Sequence, residues 1–328
     1  MRRLVIVLAG LVTFTAVAIA GQSPRRAVPV TPWGDPDLQG TWSSEAELGV
    51  PFERPAQYGE RRFLTDSEFA QRQQQTTTQL QSDLSEFEVF TADTRNAGAV
   101  GSATSPPPHW LERGKASRRT SLVIDPADGR LPPTVQQGRG RGRGAGAVGT
   151  FGGSAFNGPQ DLSLWERCIT RGVPGAIFPT VYNANVRIVQ GPGVVAVTYE
   201  MIHTTRVIPI STSSAAAARH VGPAIRGYDG DARGWWDGDT LVVETTNFSE
   251  QSNYRGSRET LTLRERFRRD GDGIAYEVTV NDPQTWTKPW TAALTLERQP
   301  DASLFEYACH EGNSSMRNIL SAARQAER

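Results

Sequence analysis

The feature that most constrains the fold is a series of short β-branched segments, separated by turn residues, that begins after Ser117. Short runs of β-branched and other apolar residues occupy residues 120–124, 186–190, 194–199, 240–246, 261–267, 274–280, 292–296 and 304–309. Gly- and Asp-containing turns separate several of them at hairpin spacing. No long helical pattern lies between these segments, which argues against parallel βαβ units. We therefore predict a mainly β fold, either an antiparallel barrel or a sandwich.

One surface helix is predicted near residues 65–84. Thr65 and Glu68 have the spacing of a capping box, in which each residue satisfies a free backbone N–H of the other. The Gln-rich run 71–81 that follows has little apolar face, so this helix is expected to lie on the surface of the β structure.

The remaining low-complexity segments set the domain boundaries. Residues 21–32 lack periodicity and are interpreted as a flexible leader, which leaves residues 33–328 as a single β-rich domain. An Arg-Gly repeat begins at Gly138 inside a Gly-rich stretch near 136–158. We interpret this stretch as a flexible insertion rather than an RNA-binding element, because three arginines make a weak basic patch.

The first twenty residues have the composition of a secretory signal peptide. A basic start at Arg2 and Arg3 precedes an apolar run over 4–19, and Ala18 and Ala20 are the small residues that a signal peptidase reads. We expect cleavage after Ala20 and export to the periplasm or the extracellular space. No second apolar run follows, so no integral membrane segment is expected after cleavage.

Export also bears on the two cysteines of the chain, Cys168 and Cys309. An oxidising compartment favours a disulfide between them, and two separate buried thiols are the alternative. The formal net charge of the 328-residue chain is zero. Nothing in that balance attracts the protein to nucleic acid or to an anionic membrane.

Strand alternation places one carboxylate on an apolar face. In the run 261–267, Glu265 shares its parity with Leu263 and Phe267, while the other parity is basic and polar. A buried carboxylate must be paired, hydrogen-bonded or protonated, so Glu265 is either half of a structural ion pair or a functional acid. Glu244 shares the parity of Val242 in its own strand. Leu241 and Val243 have the opposite parity and are equally suited to face the core.

The segment 199–206 brings three chemically active side chains close together in sequence. If it forms one straight strand, Glu200 and Arg206 lie about 20 Å apart on one face. If the chain turns at His203, the three side chains approach each other. In that geometry His203 is a candidate general acid and Arg206 a candidate clamp for a carboxylate or an oxyanion, with Glu200 or Glu265 as the base.

A second candidate region follows the strand 274–280. Asp282, Trp286 and Trp290 lie in a Pro-containing loop at the strand end, where aromatic rings and an acid can form the rim of a pocket. Together with Trp236 they make up the predicted ligand-binding set. A loop held in place by tryptophan packing is the structural alternative.

Motifs for cofactors and metals are not found in the sequence. The four histidines have no two members at metal-ligand spacing, and no Gly-rich phosphate loop with a lysine or Gly-x-Ser-x-Gly elbow occurs. We therefore expect no cofactor and no metal site.

The segment 38–42, with Gly40 and Trp42, resembles the Gly-x-Trp start of lipocalins and other calycins. This resemblance implies an antiparallel barrel that is closed at one end by the tryptophan and binds a small apolar ligand. It also implies a late basic residue packed on the tryptophan, for which Arg298 is the candidate. The chain departs from the lipocalin pattern in the long insertion after Trp42 and in the wide spacing of its strands.

A second resemblance covers most of the chain that follows the predicted cleavage site. Segments 35–42, 200–208, 236–243, 265–267, 282–283 with 289–290, and 309–311 are similar to a group of exported bacterial proteins of unassigned function. This resemblance implies export and a bacterial source, and it implies no activity.

Two functional hypotheses follow from these patterns. The first is an exported β-barrel that binds a small hydrophobic molecule in its interior. The second is a cofactor-free lyase, isomerase or hydrolase that uses acid–base chemistry in the same pocket, with Glu200, His203, Arg206 and Glu265 as its catalytic residues. An envelope protein with a solid core is a third option.

Overall fold

The structure is a computed structural model that describes residues 28–92, 114–135 and 156–327, and for residues 83–92 it describes the backbone alone. The expected signal peptide, the first part of the leader and residues 136–155 of the expected insertion lie outside the described residues. The end of the leader takes part in the fold, since the side chain of Thr31 is buried and its backbone N–H donates to Asp35 O at 2.8 Å.

The strands form one closed barrel, so the sandwich alternative is excluded. Strands run in the order β1-β3-β4-β5-β6-β7-β8-β9-β10, and β10 pairs with β1 to close a nine-stranded ring. A tenth strand, β2, pairs with two residues near the start of β10, Thr291 and Ala292. The bounds are β1 Gly40–Ser43, β2 Val123–Asp125, β3 Asn185–Gly191, β4 Val194–Tyr199, β5 Thr205–Ser211, β6 Asp231–Asp237, β7 Thr240–Thr246, β8 Thr262–Asp270, β9 Gly273–Asn281 and β10 Trp290–Arg298.

All pairings are antiparallel except that of β5 with β6, which is parallel. The alternation of strand directions defines two ends of the barrel. We call the upper end the one at which β3, β5, β6, β8 and β10 begin and β4, β7 and β9 end. The hairpins that join β6 to β7 and β8 to β9 therefore lie at the lower end.

Those two lower hairpins use the turn chemistry that the sequence predicts. Asp237 pairs with Thr240 and Asp270 pairs with Gly273, so that each loop contains two residues. The first loop residues, Gly238 and Gly271, have φ of 60° and 59°. A residue with a Cβ rarely adopts such values, which is why glycine precedes aspartate in both loops.

The described residues contain three α-helices beside the barrel: α1 Asp66–Ala92, α2 Ser214–Ala217 and α3 Ser314–Ala326. The predicted helix corresponds to α1, and its capping box forms: Thr65 N–H donates to Glu68 Oε2 at 2.8 Å, and Glu68 N–H donates to Thr65 Oγ1 at 3.4 Å. The sequence analysis missed α3, whose apolar residues recur at helical spacing and are half-buried. None of the helices in the described part of the chain is long and apolar enough to cross a bilayer.

The barrel interior is filled with inward-facing side chains. In β8, Leu263, Glu265 and Phe267 are buried and Arg264 is exposed, as the alternation predicts. In β7, Val243 points inward, while Glu244 is half-buried and pairs with Arg264 at 2.9 Å. The register of β7 thus places Glu265 inside the barrel and Glu244 on its outer wall.

Residues 304–309 and the strands β5 and β6 differ from the expected series of strands. Residues 304–309 form no strand, because they leave the sheet after β10 and bond to the turn between β4 and β5. Conversely, β5 and β6 were not predicted, and in β6 Gly234 and two adjacent tryptophans obscure the alternation. Gly234 lies where β6 meets β5, and a Cβ there would come within 2.7 Å of Ile210 Cδ1.

The tryptophan of the calycin-like segment is fully buried. Trp42 Nε1–H donates to Leu38 O at 3.0 Å, which satisfies its polar atom inside the core. The guanidinium over its ring belongs to Arg269, with Cζ 4.8 Å from the ring centroid. Arg298 lies opposite Trp42 in the β1–β10 register. Among the described residues, the cation that packs on this ring is therefore Arg269 of β8 and not the predicted Arg298.

Candidate functional site

A hydrogen-bonded ion pair lies inside the barrel, and we call it the ionic cluster: Tyr199, Arg206, Thr245, Glu265 and Tyr276. Arg206 Nη1 and Nη2 donate to the two oxygens of Glu265 at 3.1 and 2.8 Å. The same guanidinium donates to Tyr199 Oη at 3.2 Å and to Thr245 Oγ1 at 3.0 Å. Tyr276 Oη donates to Glu265 Oε1 at 3.0 Å. The carboxylate is therefore fully engaged, and Arg206 Nε is the cluster atom without a partner.

The electrostatics of the ionic cluster follow from its burial. Burial by itself would lower the pKa of Arg206, but Glu265 and Tyr199 hold that pKa well above its usual value. Burial is the main reason why the pKa of Tyr199 rises to about 12. Burial and the adjacent Glu265 raise the pKa of Tyr276 well above its ordinary value. The stable state of the cluster is a charged Arg–Glu pair between neutral phenols.

The chain does turn after β4, but the turn keeps Glu200 and His203 out of the ionic cluster. Ile202 and His203 both adopt a positive φ, of 64° and 54°, which lets the chain reverse before β5. Glu200 accepts hydrogen bonds from Asn185 Nδ2 at 2.8 Å and from the backbone N–H of Phe305 at 3.5 Å.

His203 has the same kind of role as Glu200. Its Nδ1 accepts from the backbone N–H of Tyr307 at 3.1 Å. The four residues predicted for catalysis therefore divide into two pairs. Arg206 and Glu265 bond inside the barrel, and Glu200 and His203 hold the C-terminal segment over its upper end.

Five rings pack at the upper end, where β10 begins, and we call them the aromatic cluster: Phe52, Phe178, Tyr254, Trp286 and Trp290. Trp290 is in its centre, with ring centroids 5.8 Å from Phe52, 6.2 Å from Tyr254 and 5.9 Å from Trp286. Phe178 lies 5.4 Å from Phe52 and 6.4 Å from Tyr254. These separations are those at which aromatic pairs attract each other.

Several polar atoms around the aromatic cluster are buried without a hydrogen bond of good geometry. They include Trp290 Nε1 and Tyr254 Oη, together with Nε of Arg255 and both Nε and Nη1 of Arg171. Burial raises the pKa of Tyr254 to about 12, although Arg255 and Arg171 act in the opposite direction. Burial also lowers the pKa of Arg171. Since unsatisfied buried donors are costly, this concentration of them is unusual.

Two loops of the upper end support the aromatic cluster. Trp286 Nε1–H donates to Ser257 Oγ at 3.0 Å, which joins the loop before β8 to the loop before β10. Asp282 is buried and accepts from Thr260 Oγ1 at 2.8 Å through Oδ1, while its Oδ2 has no partner. Asp282, Trp286 and Trp290 are thus close together, as the sequence predicts. Trp236 lies near the end of β6, at the lower end of the barrel.

A disulfide fastens the C-terminal segment across the upper end. Cys168 and Cys309 are bonded, 141 residues apart in sequence, which confirms the predicted pairing. Just after Cys168, Thr170 Oγ1 donates to Asp229 Oδ1 at 2.9 Å. Burial raises the pKa of Asp229, and Arg206 opposes that rise. Residues 170–171 therefore lie between the ionic cluster and the aromatic cluster, which belong to the same half of the barrel.

Comparisons with known proteins give no family. Neither the protein-family models nor the curated proteins contain a match to this chain. One solved structure with partial similarity is a secretary abundant heat soluble (SAHS) protein from Ramazzottius varieornatus, at 11% identity, with 35% of this chain and 70% of that chain covered and a TM-score of 0.23. Another is the bifunctional dehydratase-cyclase domain in ambruticin biosynthesis, at 15% identity, with 44% and 75% covered and a TM-score of 0.15. At these TM-scores neither likeness supports an argument, and the barrel is established by its own strand pairings.

Sequence reasoning missed Phe52, Phe178, Arg171, Tyr254 and Arg255. All five lie in irregular segments, where no alternation indicates which side chains point inward. The only available signal was the Tyr254-Arg255-Gly256 turn, which lies between two predicted strands. Within the described ranges no group of three or more His, Cys, Asp or Glu residues is placed to hold a metal ion.

Proposed function

We propose that this protein binds a small, largely hydrophobic molecule at the upper end of its barrel, against the aromatic cluster. The observation that supports this most directly is Trp290. Its side chain is 0% exposed, yet its Nε1–H has no hydrogen-bond partner among the described residues. The N–H of a buried indole usually donates to an acceptor, because leaving it unpaired costs free energy. A bound molecule that supplies an acceptor would remove this cost.

The neighbouring rings suit the same kind of ligand. Tyr254, Phe178 and Phe52 provide apolar faces around Trp290, and ring–ring contact favours a flat or elongated hydrophobic molecule. Binding sites for small molecules combine such walls with a few polar groups that fix orientation. The unpartnered donors at this end of the barrel are suitable for that second task.

The contacts give less support to acid–base catalysis. A general base must reach a substrate proton, but both oxygens of Glu265 accept hydrogen bonds from Arg206 inside the barrel. Glu200 and His203 are engaged by backbone N–H groups of residues 305 and 307. Ligand binding therefore accounts for the described geometry better than catalysis does.

The proposal is tested by titrating the protein with the neutral fluorescent probe N-phenylnaphthylamine. We expect saturable binding that weakens about two- to tenfold in Phe178→Leu, because an aromatic contact contributes about 0.5–1.5 kcal/mol beyond its buried area. Phe267→Leu is the matched control, since Phe267 is equally aromatic but packs on Tyr276 within the barrel. Absence of saturable binding, or equal weakening in both variants, would contradict the proposal.

We also propose that the protein is exported to the periplasm or the extracellular space. The composition of residues 1–20 and the Cys168–Cys309 disulfide both support this location. Mass spectrometry of the protein purified from its native cells tests the proposal. The expected mature N-terminus is Gly21, and an intact N-terminus with two reduced cysteines would contradict export.

A further inference from the structure

Two arginines beside the aromatic cluster have no carboxylate partner. Neither Arg171 nor Arg255 takes part in an ion pair within the described chain, whereas Arg206, Arg264 and Arg266 each do. Both arginines lie close enough to Tyr254 to influence its phenol electrostatically. The upper end of the barrel therefore carries two positive charges that the described residues do not neutralise by contact.

These arginines have aromatic rings where a carboxylate would otherwise be expected. Arg255 Cζ lies 3.5 Å from the ring centroid of Phe52 and 6.0 Å from that of Tyr254. Arg171 Cζ lies 5.7 Å from the Trp165 ring, and its other close neighbours are the phenols of Tyr182 and Tyr307. Ring faces stabilise a cation by about 0.5–2 kcal/mol, which is less than several kcal/mol of desolvation.

None of the carboxylates described at this end of the barrel forms an ion pair with Arg171 or Arg255: Asp282 accepts from Thr260 Oγ1, and Glu200 accepts from Asn185. Asp229 accepts from Thr170, the residue before Arg171, and its electrostatic partner is Arg206 of the ionic cluster. It therefore does not neutralise Arg171. The Nε and Nη1 atoms of Arg171 and the Nε atom of Arg255 stay buried without acceptors. A guanidinium in this state is suited to accept an anionic group in a planar, two-point contact.

Building on the proposed function, we infer that the ligand of the aromatic cluster is an amphiphilic anion. Its aromatic or aliphatic body packs on Trp290 and Tyr254, and its carboxylate or sulfonate group is held by Arg171 and Arg255. The class includes aromatic acids and short fatty acids. Neutral molecules of the same shape would occupy the rings and leave the two guanidinium groups unpaired.

A matched pair of probes separates this inference from the proposed function. N-phenylnaphthylamine and anilinonaphthalene sulfonate share one aromatic body and differ in the sulfonate group. We expect the sulfonate probe to bind wild-type protein at least about tenfold more tightly, because hydrogen bonds to charged groups are the strong ones. We also expect its affinity to fall about tenfold in Arg171→Gln and in Arg255→Gln, with the neutral probe changed less than about twofold.

Arg264→Gln is the charge-matched control, because Arg264 lies on the outer wall of β8 and pairs with Glu244. Near-ultraviolet circular dichroism checks that each variant keeps its packed aromatic residues. Equal affinities of the two probes, or a sulfonate affinity that survives both arginine substitutions, would overturn the inference and leave the proposed function standing. Failure of the neutral probe to bind wild-type protein would overturn the proposed function itself.

Discussion

Arginine and tyrosine side chains have buried polar atoms both in the ionic cluster and around the aromatic cluster, in the upper half of one barrel, but these atoms are satisfied differently in the two places. Around Glu265, every carboxylate oxygen has a donor and the Tyr276 hydroxyl has an acceptor. Around Trp290, the indole N–H, the Tyr254 hydroxyl and two arginine side chains retain unpartnered atoms. Polar atoms of the same residue types thus find partners in one place, with Arg206 Nε as the exception, and lack them a short distance away.

This difference in hydrogen bonding is the basis for proposing a structural role for one cluster and a binding role for the other. A buried network in which nearly every polar atom is hydrogen-bonded favours a unique fold, and it has little capacity left for a ligand. Unpartnered buried donors reduce stability in the free protein, and a ligand that supplies acceptors recovers the loss. We therefore propose that the ionic cluster serves stability and that the aromatic cluster serves binding, and each of the following experiments tests that division.

The largest expected effect is that of Glu265→Gln. Removal of the carboxylate charge leaves Arg206 buried without its counterion, which costs about 3–5 kcal/mol in the free energy of unfolding. Urea denaturation measures the loss. Glu277→Gln is the control, because Glu277 is exposed on the neighbouring strand β9.

A double variant sharpens this result. The double variant Glu265→Leu/Arg206→Met removes both charges. It should recover much of the free energy of unfolding that Glu265→Gln loses, as expected for a buried ion pair. The catalytic hypothesis instead predicts that Glu265→Gln keeps its stability and loses its enzymatic turnover. Unchanged stability together with a lost turnover would assign Glu265 to catalysis and break the division between the clusters.

The second largest effect is expected from Cys168→Ser combined with Cys309→Ser. Loss of a cross-link between distant residues should lower the free energy of unfolding by about 2–4 kcal/mol. Hydrogen exchange shows which part of the protein loses stability. The amides of Phe305 and Tyr307 should lose protection, while those of β8 should keep theirs. Uniform loss of protection in both places would show that the disulfide does not act at the upper end in particular.

The third effect is a loss of stability in alkali. Burial raises the pKa values of Tyr199 and Tyr254 to about 12, so the folded state holds their protons more tightly than the unfolded chain. Their stabilisation is complete below the unfolded pKa of about 10 and disappears as the pH rises through about 12. The two residues together should cost about 2–3 kcal/mol between about pH 9 and pH 11.

Urea titrations at the two pH values measure this loss. Tyr276 and Tyr307 also have raised pKa values and add to the measured loss, so Tyr254→Phe should reduce it by the share of one tyrosine, about 1–1.5 kcal/mol. A free energy of unfolding that stays constant up to about pH 11 would show that the phenols ionise as freely in the folded protein as in the unfolded chain.

The regular part of this fold was predictable from sequence, and the site only in part. Turn glycines and strand alternation indicate β3, β4, β7, β8, β9 and β10, and the alternation alone is enough to place Glu265 on the inner face of its strand. Its partner Arg206 was a candidate as well, but the pairing depends on barrel closure, which strand patterns do not determine. In this protein the pairing of β1 with β10 closes the sheet into a barrel, and no strand pattern in the sequence indicates that pairing.

The aromatic cluster was less accessible to prediction, because loops supply most of it. Trp286 and Trp290 were identified from their position after a strand. Phe52, Phe178 and Tyr254 come from irregular segments far apart in sequence, and only tertiary packing brings them together. The expected convergence of Glu200 and His203 with the ionic cluster was wrong for a related reason: residues 305–307 fold back and occupy both side chains.

The most direct test of the division is a pair of identical chemical changes, Tyr276→Phe and Tyr254→Phe. Each removes one buried hydroxyl: that of Tyr276 donates to Glu265 at 3.0 Å, while that of Tyr254 has no hydrogen bond of good geometry and lies close to Arg255. Tyr276→Phe should lower the free energy of unfolding by about 1.5 kcal/mol, while Tyr254→Phe should change it by less than about 0.5 kcal/mol. A loss at Tyr254 equal to or greater than that at Tyr276 would contradict the account.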